Sequence, residues 1–137
     1  MDHVERALEI NRSGYNCAQS VLCAFSDLTG LDEKTSLAIA AGLGGGLRSG
    51  EVCGAVSGAV LVLGMLYPFA DSADFEAKQR IAALAKELCA GFKEKYGTVR
   101  CAELLKRTEG EEKRYKYCPD CVRDCAQLLE EMIAKQK

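Results

Sequence analysis

Cysteine is the residue type in this chain best equipped for chemistry: eight stand among 137 residues, at positions 17, 23, 53, 89, 101, 118, 121 and 125. That is too sparse for a short secreted disulfide scaffold and far more than packing requires. A thiolate can attack a disulfide, two thiols can close into one, and several thiolates can share a metal. The densest group is Cys118, Cys121 and Cys125, whose steps of three and four set the sulfurs on one helix face. With Cys118 at the N-cap and Pro119 at the first helical position, the unpaired amides there would favour thiolate. Cys118 and Cys121 are therefore the expected reactive pair toward a partner thiol. A thioredoxin-like CxxC would need a βαβ context that is missing here, and a bacterial ferredoxin run would need a cysteine where Asp124 stands.

The other cysteines are scattered. Cys23 and Cys89 are expected as small apolar core residues. Cys17 follows a possible cap at Asn16, and Cys53 opens a helix directly after a glycine-rich stretch. With Cys118, that makes three thiols at helix starts, where unpaired backbone donors stabilise negative charge on sulfur. Other catalytic chemistry is poorly provided for. His3 is the only histidine, so a thiol–imidazole pair or a mixed zinc site would hang on one residue at a terminus expected to fray. The run from Gly42 to Gly50 carries Leu47 where a dinucleotide fingerprint needs its third glycine. Glu51 stands where a P-loop needs lysine. This run is expected to be a loop of tight backbone approach.

Helical spacing governs the elements that must position these thiols. The expected fold is all-α, a single-domain bundle of about five to seven helices around a buried central helix. Val4 and Leu8 mark a first short helix, Cys17 to Leu28 a second ended by Gly30, and Glu33 to Ala41 a third. From Val52 to Ala70 no residue is charged, and the length approaches the ~20 residues of a bilayer span. Its glycines, Pro68 and the lack of a flanking basic cluster favour a buried central helix instead. Asp71 and Ser72 are expected to cap a long amphipathic helix through Phe75, Ile81, Leu84, Leu88 and Phe92 to Tyr96. Val99 to Leu105 forms a short helix, Lys106 to Tyr117 a polar loop, and the last helix begins at Cys118 or Pro119.

Charge excludes some partners. Eighteen basic against twenty acidic residues leave a net charge of −2, without the basic footprint of a nucleic-acid binder. The sequence KRYKY at 113–117 follows EGEE at 109–112 and is expected to be solvated. The acidic N-terminus lacks the pattern of a secretory leader, so a reducing cytoplasm is expected, where clustered cysteines mean metal ligation or redox chemistry.

Four segments fit one pattern: GYNCAQSVL around Cys17, GGGLRSGEVCGAVSGAVLVLG around Cys53, YGTVRCAELL around Cys101, and CPDCV around Cys118. Through them nearly the whole chain resembles the C_GCAxxG_C_C family of redox-active proteins, which are about this long and have four characteristic cysteines. The central motif runs Cys53, Gly54, Ala55, then Gly58, with its first two letters transposed relative to the label. The fourth place falls to Cys118 or Cys121, and Cys118 is preferred for its position before Pro119. The resemblance implies redox activity, and four thiols so far apart can meet only where several helices converge.

Convergence of Cys17, Cys53, Cys101 and Cys118 would suit an iron–sulfur cluster used for electron transfer. A metal-free thiol–disulfide oxidoreductase or sensor acting through Cys118 and Cys121 is the first alternative. A structural zinc-binding or adaptor bundle with inert thiols is the second. The expected partner is a redox protein; no nucleic acid and no stable membrane span are expected, and a homodimer is compatible with the apolar segment after Cys53.

Overall fold

The structure, a computed structural model, describes residues 2–106 and 111–137, with the stretch 111–117 given by its backbone alone. It is all-α. In chain order the helices are α1 His3–Arg12, α2 Cys17–Ala24, α3 Ser26–Thr29, α4 Glu33–Ala40, α5 Gly54–Leu66, α6 Phe75–Tyr96, α7 Cys101–Lys106 and α8 Glu111–Lys135. A five-residue π-type segment, Gly46–Gly50, precedes α5. The total exceeds the five to seven expected from periodicity. Among the described residues there is no strand, only a single antiparallel bridge between Val52 and Arg100. No helix among them is long and apolar enough to cross a membrane.

Local chemistry explains most boundaries. The side chains of Asp2, Asn16, Asp32 and Asp74 each accept a hydrogen bond from an amide in the first turn of the helix that follows. At Asn16 the bond is reciprocal: Gln19 accepts from the Asn16 amide at 3.0 Å, completing a capping box. Gly30 and Gly97 close α3 and α6 in the left-handed conformation.

Some expectations shift. The stretch from Cys17 to Leu28 breaks at Phe25, which ends α2 and precedes α3. α6 is capped by Asp74 rather than Asp71 and Ser72, and Phe75 at its first position is 66% exposed, outside the core. Leu84, Leu88 and Phe92 do face inward. Of the expected polar loop, residues 107–110 lie outside the described residues, while from Glu111 onward the backbone is already helical. Glutamate, lysine and arginine in that run are good helix formers, which outweighs the polarity that suggested a loop. Cys118 and Pro119 therefore sit inside α8 and do not open it, so the amides of a helix start are not available to Cys118. Pro119 lacks an N–H and leaves a gap in the backbone hydrogen bonding beside Cys118.

The buried centre is shared. Seven of the eight residues of α2 are buried, and α2 packs against α1, α4, α5 and α8. The closest approach is to α5. A Cβ built on Gly58 would lie 2.7 Å from the carbonyl oxygen of Ala18 and 3.0 Å from its Cα, and one on Gly54 would lie 3.2 Å from the Ala18 amide nitrogen. Gly54 and Gly58 are four apart and share one face of α5, so together they form a flat track on which the α2 backbone rests.

Gly58→Ala is expected to destabilise the fold by about 1 to 3 kcal/mol, because backbone atoms of α2 would have to move. Gly64→Ala in the same helix, where an added Cβ meets nothing within 4 Å, is expected to be neutral or to stabilise by up to about 1 kcal/mol. Chemical denaturation of both variants checks the contrast.

Candidate functional site

Five thiols from four elements meet at one end of the α2–α5 contact. Cys17 is the first residue of α2, Cys53 is the N-cap of α5, Cys101 is the first residue of α7, and Cys118 and Cys121 lie one turn apart in α8. The glycine track sets the first two side by side, since Ala18, against which Gly54 and Gly58 rest, follows Cys17 directly. A backbone clamp adds the third: the Cys53 amide donates to the Val99 carbonyl at 2.7 Å, and the Cys101 amide donates to the Glu51 carbonyl at 2.6 Å. α8 packs against both α2 and α5 and brings Cys118 and Cys121 to the same place.

Within this group the strongest mutual influences fall in two pairs, Cys53 with Cys121 and Cys17 with Cys118. The hydrogen bond from Cys121, helped by the amides of Ala55 and Val56, holds the Cys53 thiol below its ordinary range against the opposing effect of burial. Its partner moves the other way: the bond to Cys53 pushes Cys121 up, with burial adding to it. Cys17 is pushed up by its bond to Cys118, then by burial, then by repulsion from Cys118, Cys53 and Cys101. In the Cys53–Cys121 pair the proton thus stays on Cys121. All eight cysteines are free thiols.

The pairs differ in access. Cys53 and Cys121 are 5% and 2% exposed and form the inner pair. Cys17 and the half-buried Cys118 form the outer pair, on the wall of a cavity of about 490 Å³ whose lining includes Asn16, Gln19, Arg48 and Pro119.

The structure therefore gathers Cys17, Cys53, Cys101 and Cys118, the four singled out from sequence, and adds Cys121. Cys121 pairs with Cys53 across the helix interface and not with Cys118 along α8. Among the described residues no group of three or more histidine, cysteine or acidic side chains is arranged to hold a metal ion. Cys23 is fully buried in the core, Cys89 is half-buried, and Cys125 is fully buried behind the pairs, its thiol pushed up by burial and by the neighbouring Cys53. His3 serves elsewhere and is well ordered by its contacts: its ring stacks on Phe25 at 4.3 Å and bridges Asp27 and Glu130, each at 3.0 Å.

The model of a family described as "Putative redox-active protein (C_GCAxxG_C_C)" matches residues 15–132 of the chain, including all five thiols of the site. No curated protein and no solved structure matches it.

Sequence reasoning missed a polar group flanking the inner pair. Asp124, 4% exposed, follows Cys121 by one turn of α8 and accepts from the Tyr96 hydroxyl, from Lys95 at 3.1 Å and from Arg123 at 3.2 Å. Only its place one helical turn beyond Cys121 marked it. Burial pushes the Asp124 carboxyl up, but the three donors together bring it below the usual carboxylate range. Burial, and then the bond to Asp124, push the Tyr96 phenol up.

Because the folded carboxyl lies below its unfolded value of about 3.9, its contribution is present above that pH and lost as pH falls through the folded value. Tyr96→Phe is expected to cost about 1 to 2 kcal/mol near neutrality. Urea unfolding as a function of pH should show the gap between wild type and variant closing on the acid side.

Proposed function

The chain belongs to the C_GCAxxG_C_C family of redox-active proteins, and from that premise we propose that its redox centre is the group of converging thiols, working by dithiol–disulfide chemistry. The observation that carries this reading is the grouping of four sulfurs as two mutually coupled pairs, one at the cavity wall and one behind it. Neighbouring thiols can close into a disulfide.

The outer pair acts first. Cys118, which accepts the Cys17 proton in their hydrogen bond, attacks one sulfur of a partner disulfide. The partner's S–S bond breaks, its second sulfur leaves as thiolate and takes a proton from solvent, and a mixed disulfide with Cys118 remains. Cys17 then gives up its proton and attacks the Cys118 sulfur. This closes the Cys17–Cys118 disulfide and releases the remaining partner sulfur as a thiol. Two electrons have passed to the partner.

Cys53 lies within electrostatic reach of both Cys17 and Cys118. It can attack the new disulfide in turn, with Cys121 closing on Cys53 and the outer thiols regenerated. Cys118 is thus the residue that meets the partner and Cys121 the one that completes the inner disulfide.

A second reading is an iron–sulfur cluster. The favouring observation is that Cys17 at the start of α2 and Cys53 at the start of α5 lie at helix ends whose unpaired amides suit a negatively charged centre. The donor set fits in kind and number: Cys17, Cys53, Cys101 and Cys118 would hold the cluster, with Cys121 as a fifth sulfur. When bound it would supply one-electron transfer.

Two measurements separate these readings. After oxidation by a small disulfide, alkylation and mass mapping should find Cys17–Cys118 and Cys53–Cys121 disulfides with Cys23 still free. Cys118→Ser should slow the reaction by at least about tenfold. If no cysteine changes state, the dithiol reading fails; if only Cys118–Cys121 forms, the two-pair arrangement is overturned. Iron and acid-labile sulfide in anaerobically purified protein, lost in Cys101→Ser, would establish the cluster instead, whereas one zinc per chain without a redox response would mark a structural site.

A further inference from the structure

The cavity beside the outer pair has features of its own. Its volume of about 490 Å³ falls within the roughly 300 to 1,000 Å³ of small-molecule sites. Cys17, Cys118 and Arg48 all line it. Among the described residues lining it, Arg48 is the only charged side chain and none is acidic.

The placement of Arg48 is costly. Gly45, Gly46, Leu47 and Arg48 form a left-handed turn with φ of 65°, 64°, 62° and 58°. Each of the two non-glycine residues forgoes roughly 1 to 2 kcal/mol to adopt it. The turn itself is held by backbone hydrogen bonds from Leu47 to Leu43 and from Glu51 to Gly46, but the exposed guanidinium makes no ion pair among the described residues.

The wall beside Cys17 is fixed. Asn16 donates to the Ala41 carbonyl at 3.0 Å and Gln19 to the Leu37 carbonyl at 2.9 Å, and the same two side chains are locked together by the capping box. A cavity with a rigid polar wall, one uncommitted cation and a reactive thiol pair is suited to a small anion that carries sulfur.

We infer that this cavity binds a low-molecular-weight disulfide bearing a carboxylate, which Arg48 holds while its S–S bond meets Cys118. The inference rests on the dithiol reading above and names the substrate class of that same site. The bound molecule accepts two electrons and two protons and leaves as two thiols, as the Cys17–Cys118 disulfide forms.

The test compares three small disulfides on the reduced full-length chain: dithiodiglycolate, which is anionic, hydroxyethyl disulfide, which is neutral, and cystamine, which is cationic. Rates of thiol loss are followed for the wild type, for Arg48→Asn, chosen because asparagine tolerates the left-handed backbone, and for Arg48→Lys, which keeps the charge. Circular dichroism checks that each variant folds.

The expected result is that Arg48→Asn slows the anionic disulfide by about fivefold relative to the neutral one, the size of a solvent-exposed ion pair. Arg48→Lys should restore most of the preference. If the ratio of anionic to neutral rates is the same in wild type and Arg48→Asn, the assignment of the cavity is overturned while the dithiol chemistry stands. If none of the three disulfides oxidises the outer pair, the dithiol reading itself falls.

Discussion

The near-contact of the α2 and α5 backbones is the constraint on which the rest of the structure depends. Gly54 and Gly58 give up side-chain packing so that the main chain around Ala18 can rest against them. Because Cys17 precedes Ala18 and Cys53 precedes Gly54, the depth of that seating fixes how far apart two sulfurs stand. The sequence Cys53-Gly54-Ala55 followed by Gly58 thus combines a reactive group and the packing surface that positions it within one and a half helical turns. A larger side chain at either glycine would lift α5 and separate the thiols without touching them.

The remaining sulfurs are held by different means, and this gives the pairs their asymmetry. Cys101 is tied to the start of α5 through backbone hydrogen bonds on either side of the Val52–Arg100 bridge. Cys118 and Cys121 ride on one helix whose face meets both α2 and α5. Each sulfur of α8 therefore finds its partner on a different neighbour. Cys53 sits where amides at a helix start favour charge, while Cys121 is pushed up by Cys53 itself and then by burial. The field within the inner pair consequently places the proton on one sulfur and leaves the other as acceptor. Asp124 keeps its charge there because Tyr96, Lys95 and Arg123 converge on it from two helices.

Much of this was legible in the sequence for physical reasons. Asn16 and Gln19 announce the start of α2 because a capping box needs those residue types at that spacing. The uncharged run around α5 marks a helix that must be buried, and Gly97 marks the end of α6. That widely separated cysteines would meet followed from their resemblance to a four-cysteine pattern. The pairing did not follow, because residues three apart on a helix look like partners in sequence, although their sulfurs point together toward whatever packs on that face. Cys121 therefore meets Cys53. The start of α8 was hidden because a run of charges is equally at home in a loop and on a solvated helix. Asp124 gave no strong signal, since a buried carboxylate is recognised by donors that come from elsewhere in the chain. The positive φ of Leu47 and Arg48 was illegible because neither residue type favours it.

His3 and Glu130, 127 positions apart, join the first and last helices, and that topology has a consequence for biosynthesis. α8 leaves the ribosome after α1 to α7, and with it come the sulfurs that partner Cys17 and Cys53. Until then those two are isolated nucleophiles on a nascent chain, without the proton sharing that later distinguishes donor from acceptor. Synthesis in an oxidising environment would expose them to off-pathway crosslinks before the correct mates exist. Emergence of α8 is therefore the event that turns separate thiols into an ordered set.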